Sequence, residues 1–203
     1  MDNSPFKILF LDIGGVLLTN GWGHESRQKA AAEFGFDYES MNALHEIAFD
    51  IYEAGHMSLD EYLNTILFYE PRSFTKEAFV NFMLQQSQPL PQTLDWLIEW
   101  KKTKPGLRIF SINNEPKDLQ VYRVKTFNLM RLYDAFICSC DVGMRKPDPR
   151  IYQLAMDVAG AAPKECVYVD DREVLVRAGS MMGIASWQHK NLEETKAFLE
   201  RSF

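Results

Sequence analysis

The stretch Phe6-Lys7-Ile8-Leu9-Phe10-Leu11-Asp12-Ile13-Gly14-Gly15-Val16-Leu17 decides how this chain is read. Its first six residues are almost continuously apolar, the pattern of a strand buried on both faces. Asp12 stands at the mouth of that strand, beside glycines that let a partner approach the backbone closely. A carboxylate in that position is suited to act as a nucleophile. Two residues on, where a second carboxylate could handle protons, the chain has Gly14.

Three later apolar runs also lead into polar residues: 107–110 before Ser111, 135–138 before Asp141, and 166–169 before Asp170. A fifth, 184–187, reads as a late strand. Helical patterns fill 93–102, 118–127, 149–159, 173–182 and 192–201. Strands alternating with helices predict an α/β fold, a parallel sheet with helices on both faces. In such sheets ligands bind beyond the carboxyl ends of the strands, so the polar residues ending the runs should converge there. The segment after the first strand breaks the alternation, with helices expected at 24–34, 38–53, 58–69 and 75–86. Ser58 with Glu61 has capping-box spacing, and Asp37 and Thr75 suit helix starts. Four helices exceed a crossover connection and predict a small helical cap at 19–88, inserted into a core of 1–18 and 89–203. Gly21-Trp22-Gly23 and Pro89-Leu90-Pro91 mark its ends.

With 203 residues the chain can bury one good core and a small second one. A net charge of −6 gives no reason to expect nucleic acid or an anionic membrane as partner. No apolar stretch approaches the roughly 18–20 residues needed to span a bilayer. Met1-Asp2-Asn3-Ser4-Pro5 lacks the basic region and cleavage site of a signal peptide. Cys138, Cys140 and Cys166 form no disulfide framework. Cys138 and Cys140 are placed on one face of a strand and, lacking a second ligand pair, read as buried structural cysteines. A reducing cytoplasm is the expected compartment.

The chemistry-bearing set, in order, is Asp12, Ser111, Lys146, and Asp170 with Asp171. Singly these are a turn, a cap, a surface lysine and a polar loop; together they gather at one edge of one sheet. A carboxylate attacking phosphorus needs the repulsion between two anions removed. A divalent cation on Asp12 and Asp171, with Asp170 as ligand or support, would do so, and oxygen ligands suit Mg²⁺. Lys146 would neutralise remaining charge, and Ser111 with Asn113 or Asn114 would donate to phosphoryl oxygens.

The runs 10–17, 109–111, Gly143-Met144-Arg145-Lys146-Pro147-Asp148-Pro149-Arg150-Ile151-Tyr152, and Val167-Tyr168-Val169-Asp170-Asp171 resemble the four motifs of the haloacid dehalogenase superfamily. The resemblance covers nearly the whole chain, and the lysine motif is its most specific part. It implies a Rossmann-like core, a helical cap, an aspartyl-phosphate on Asp12, and Mg²⁺ held by Asp12, Asp171 and the backbone carbonyl of Gly14. The segment Glu53-Ala54-Gly55 with Ser58, Glu61 and Tyr62 is similar to a recurring cap segment. The wording Gly-Met-Arg-Lys-Pro is similar to that of cytoplasmic sugar-phosphate phosphatases, which implies a small phosphorylated metabolite as substrate. Most phosphatases of the superfamily carry an Asp where this chain has Gly14. The loss spares a main-chain metal ligand and removes a proton carrier, which predicts a slow or leaving-group-selective phosphatase. His24, Glu25 and His56 of the cap are candidate substitutes, although a lone cap histidine reads first as a surface residue. Trp22 either contacts substrate or seals the hinge. Arg145 either adds positive potential at the mouth or is solvated.

Two rival readings share these residues. A metal-independent 2-haloacid dehalogenase uses the same nucleophile, but Asp170 and Asp171 would repel its uncompensated anionic substrate. A binding or regulatory protein could keep the scaffold and have lost turnover through Gly14. The oligomeric state is not legible.

Overall fold

The computed structural model describes residues 5–90 and 92–203. Met1–Ser4, on which the reading of the N-terminus rests, and Pro91, at the predicted end of the cap, lie outside the described residues. Within them, five strands form one parallel sheet: β1 (Ile8–Leu11), β2 (Arg108–Asn113), β3 (Ala135–Cys138), β4 (Cys166–Asp170) and β5 (Ala185–Gln188). Their order is β3-β2-β1-β4-β5. The chain runs outward from β1 to β3 on one side, then returns to place β4 on the other. The strand order therefore reverses beside β1, where such sheets form their ligand crevice.

Helices α1 (His24–Phe34), α2 (Tyr38–Glu53), α3 (Leu59–Ile66) and α4 (Lys76–Gln85) follow β1. The later helices are α5 (Thr93–Lys102), α6 (Lys117–Thr126), α7 (Ser139–Val142), α8 (Pro149–Ala159), α9 (Glu173–Met181) and α10 (Leu192–Ser202). Side chains alternate across β1, so each face of the sheet has its own apolar layer. Leu9 and Leu11 pack with Leu97, Trp100 and Leu199 of α5 and α10. Ile8 and Phe10 pack with Ile151, Tyr152 and Ala155 of α8. Among the described residues no helix is long and apolar enough to cross a membrane.

Three local expectations are corrected. Strand β2 runs through Ser111 to Asn113, because Asn113 still pairs with Cys138 of β3. Its buried polar side chains satisfy one another: the Ser111 hydroxyl donates to Asn113 Oδ1 at 2.8 Å, and Asn113 Nδ2 donates to Gln120 Oε1 at 2.9 Å. Cys140 lies on α7 rather than on a strand, yet the turn there leaves its Sγ 3.3 Å from that of Cys138. Helix α3 stops at Ile66, short of residue 69; Leu67 leaves helical geometry and its carbonyl accepts from Arg72 Nε at 2.8 Å.

The helices after β1 enclose an aromatic core of their own, with Trp22, Tyr52, Tyr62 and Phe79 among its buried members. Ser58 and Glu61 form the capping box that starts α3. At the centre, His45 Nδ1 lies 2.6 Å from the Tyr62 hydroxyl, which also accepts from Trp22 Nε1 at 2.9 Å. Burial, reinforced by Arg27, lowers the His45 pKa to about 3. Between that value and the unfolded pKa near 6.5 the unfolded chain binds the extra proton, so stability falls as pH falls through this window. At pH 5 the cost is about 2 kcal/mol relative to pH 7. Amide protection factors in α2 and α3, corrected for intrinsic exchange, should therefore fall at pH 5 relative to pH 7 in the native chain, and a His45→Gln variant should lose that pH dependence. Equal slopes in the two proteins would show that His45 is not the group responsible.

Candidate active site

Asp12 follows the last residue of β1 and is 4% exposed; its backbone N–H donates to the Val169 carbonyl at 3.0 Å. Strand β4, paired alongside, ends in Asp170 and delivers Asp171 directly after it. Oxygens of Asp12, Asp170 and Asp171 all lie within 4.8 Å of one another. Lys146 Nζ stands between two of them, 3.0 Å from Asp12 Oδ1 and 2.6 Å from Asp170 Oδ2. Asn114, just past β2, fixes that lysine: its amide donates to the Lys146 carbonyl at 2.9 Å and accepts from the Lys146 N–H at 2.8 Å.

The acidic residues divide by what already holds them. Both Asp170 oxygens are engaged, Oδ2 by Lys146 and the Tyr168 hydroxyl, Oδ1 by the Arg172 N–H at 2.9 Å. Asp171 Oδ1, by contrast, is buried without a hydrogen-bond partner. Gly15, in the left-handed region at φ 70°, leaves room for Asp171; a Cβ there would overlap its Oδ2. An unpartnered carboxylate oxygen close to Asp12 fits a hard divalent cation, and the all-oxygen set suits Mg²⁺. Asp12 and the unpartnered Oδ1 of Asp171 could hold such an ion, whereas both Asp170 oxygens are already engaged, one of them by Lys146.

Charge tuning follows from this packing. Burial, helped by Asp170 and opposed by Lys146 and Arg172, pushes the Asp12 carboxyl up to about 7. Burial disfavours the Lys146 ammonium, but Asp12 and Asp170 outweigh it and hold its pKa above the ordinary value. Burial would also raise Asp170, and Lys146 reverses the direction. The three groups thus depend on one another for charge.

A cavity of about 310 Å³ opens on Asp12 and is lined by Gly14, Asn20, Trp22, Glu53, Asn114, Glu115 and Arg172, among others. Trp22 therefore borders the cavity while its indole N–H seals against Tyr62. Ser111 is fully buried at the adjoining strand position. Asn113 does not line the cavity, its amide being committed to Gln120 and to Cys138 Sγ at 3.4 Å. Arg145 is neither solvated nor in the cavity. It reaches α2, 2.6 Å from both Asp50 and Glu53 carboxylates. His24, Glu25 and His56 also lie away from it; His24 Nδ1 is 2.7 Å from the Tyr38 hydroxyl.

A family model for haloacid dehalogenase-like hydrolases matches residues 6–183. The chain belongs to that family. Among solved structures, a haloacid dehalogenase family enzyme of Bacteroides thetaiotaomicron superposes with a TM-score of 0.82 at 20% identity, over 96% of this chain and 98% of that one. A complex of that enzyme with magnesium and inorganic phosphate has a TM-score of 0.75 at 19% identity, over 91% of this chain and 94% of that one. At such identities these similarities speak for the fold. A phosphoserine phosphatase of Thermus thermophilus is 31% identical over 57% of this chain and 46% of its own length. A pyrimidine 5'-nucleotidase of Escherichia coli is 29% identical over 54% of this chain and 48% of its own. The chain thus spans about half the length of these curated relatives, and about a tenth of the pig bifunctional epoxide hydrolase it also resembles.

The sequence reading of this chain named Glu53 only as part of a recurring segment and missed Glu115, Arg123, Asn20 and Arg172. Glu115 had a signal, lying one residue past Asn114 on the loop already singled out. Arg123 had none. It reads as a solvated helix residue, and only the fold buries it to 1% exposure.

Proposed function

We propose that this hydrolase is a Mg²⁺-dependent phosphatase acting on a small phosphorylated metabolite, with Asp12 as nucleophile and a sugar phosphate as the first substrate to try. The observation carrying the reading is the acidic trio around Asp12, with one unpartnered Asp171 oxygen, at a cavity of about 310 Å³. Asp12, Asp171 and the Gly14 carbonyl would hold the ion, which would supply positive charge to offset repulsion between phosphate and carboxylate. Asp12 attacks phosphorus and forms an aspartyl-phosphate that water then hydrolyses. Lys146 offsets the charge on the transferring group, and Asp170 and Asn114 keep its ammonium aimed at Asp12. Asn114 borders the cavity at the end of β2, whereas Ser111, fully buried with its hydroxyl given to Asn113, does not reach it, which corrects the phosphoryl contact expected of Ser111. The names of the curated relatives, a phosphoserine phosphatase and a nucleotidase, support small phosphate monoesters as the substrate class.

The test is a screen of small phosphate monoesters with and without Mg²⁺, with Asp12→Asn as control. Expected are Mg²⁺-dependent release of phosphate and its loss in the variant. Retained activity in Asp12→Asn would remove the nucleophile assignment. Halide release from 2-haloacids that survives a chelator would favour the dehalogenase instead.

A further inference from the structure

Gly14 leaves unanswered which group handles the proton that phosphoryl transfer delivers to the leaving oxygen. None of the cap residues suggested by sequence lines the cavity around Asp12, but two buried carboxylates do, Glu53 and Glu115. Glu53 belongs to the cap and gives Oε2 to Arg145. Glu115 belongs to the core, on the loop whose Asn114 fixes Lys146, and its backbone N–H is held by Ser139 Oγ at 2.9 Å. It is 3% exposed. One of its oxygens accepts from Arg123 Nη1; the other, Oε2, is buried with no hydrogen-bond partner.

Arg123 connects this carboxylate to the vacant position. A Cβ built on Gly14 would lie 3.5 Å from Arg123 Nη1 and 3.0 Å from Asn20 Oδ1. The nitrogen that orients Glu115 therefore borders the space that a carboxylate at residue 14 would enter. We propose that Glu115, positioned by Arg123, is the acid/base of this site and carries the proton in place of a residue-14 carboxylate. The proposal rests on the aspartyl-phosphate reading. As Asp12 Oδ bonds to phosphorus, the bond from phosphorus to the leaving oxygen breaks and that oxygen takes the proton of Glu115. In the second step a water oxygen bonds to phosphorus, its proton passes to Glu115, and the bond to Asp12 breaks. Glu115 ends protonated, as it began, and the products are the alcohol and inorganic phosphate. Burial raises the Glu115 carboxyl against the opposing effect of Arg123, which helps it to keep a proton between turnovers.

The experiment compares Glu115→Gln with the native protein on p-nitrophenyl phosphate, whose leaving group needs no proton, and on glycerol 2-phosphate, whose leaving group does. For glycerol 2-phosphate, kcat/KM should fall roughly 10²–10⁴-fold. For p-nitrophenyl phosphate, kcat/KM should be nearly unchanged, while kcat falls and a burst of nitrophenolate marks accumulation of phosphorylated Asp12. A merely structural role would lower kcat/KM equally for both substrates without a burst, and that result would overturn the proposal. So would finding the substrate split in Glu53→Gln instead. If Glu115→Gln does not fold, the native protein decides alone: across a series of phosphate esters, log kcat/KM should depend only weakly on leaving-group pKa, and a steep dependence sinks the idea. Asp12→Asn that still cleaves p-nitrophenyl phosphate would mark failure of the underlying reading rather than of Glu115.

Discussion

Replacing Lys146 with methionine is expected to remove the proposed phosphoryl transfer and to make folding stability fall more steeply as pH rises. Lys146 is 3% exposed and is within 3.0 Å of two carboxylates. Losing a preorganised positive charge at the reacting group costs roughly 10²–10³-fold in turnover, even where the fold survives. The structural cost is of a different kind. Removing one partner of a buried ion pair leaves uncompensated charge and typically costs about 3–5 kcal/mol. In the native protein Lys146 turns the effect of burial on Asp170 around, holding its pKa below the ordinary value. Without that ammonium, burial and the mutual repulsion of Asp12 and Asp170 act on both carboxyls, opposed only by Arg172 and the remaining donors to Asp170. Their folded pKa values then lie above their unfolded ones. The folded variant holds protons that the unfolded chain has released, so its stability falls as pH rises through the folded values. Urea unfolding should show a smaller deficit from the native protein at pH 5.5 than at pH 8. An equal deficit at both would mean that lost packing of the lysine stem, not buried charge, is responsible.

The sequence disclosed those parts of this molecule that repeat a local pattern. The continuous apolar run before Asp12 and its counterparts before Asp170 and Ser111 identify central parallel strands, since only strands buried on both faces lack alternation. Asp37, Ser58 and Thr75 place helix starts, because their side chains accept from backbone N–H groups three residues on, as the structure has them. Asp12, Lys146 and the acidic pair could be grouped before any coordinates, since strand ends in such a sheet must meet. What could not be read is how polar side chains share partners across distant segments. Asn113 and Asn114 look interchangeable in sequence, yet one faces Gln120 inside the core and the other fixes Lys146. Arg145 stands beside the lysine but pairs with Asp50 and Glu53 on α2. Glu115 acquires its significance from Arg123, eight residues away on the next helix, and that pairing depends on segments more than a hundred residues apart.

Arg123→Met should be among the most destabilising single substitutions in this chain, although the residue sits in the last turn of α6 with no motif around it. Its Nε donates to Ser87 Oγ at 2.9 Å and its Nη2 to the Thr19 carbonyl at 2.8 Å, while Nη1 pairs with Glu115. Thr19 lies on the segment leading from β1 to α1, and Ser87 on the one leading from α4 to α5. The two are also joined directly, Thr19 Oγ1 donating to the Gln86 carbonyl at 2.7 Å and Thr19 N–H to the Gln88 carbonyl at 2.8 Å. Arg123 thus fastens both connections to α6 through one guanidinium. Without it the Glu115 carboxyl, protonated or not, is left buried with neither oxygen paired, and the Thr19 carbonyl and Ser87 hydroxyl lose their donor, together a cost of about 3–5 kcal/mol, a large share of the roughly 5–15 kcal/mol that holds a typical domain together. Thermal unfolding should drop by roughly 6–20 °C for a chain of this size, and amide exchange should rise around residues 19 and 86–88. Most of that penalty comes from a stranded carboxyl group rather than from lost attraction, because a buried polar pair gains little over apolar residues of similar volume. The double variant Arg123→Met with Glu115→Leu should accordingly recover much of the stability that Arg123→Met loses, while remaining impaired on glycerol 2-phosphate. If the double variant is no more stable than Arg123→Met alone, the hydrogen bonds to Thr19 and Ser87, not the stranded Glu115 carboxyl, are what make this arginine necessary to the fold.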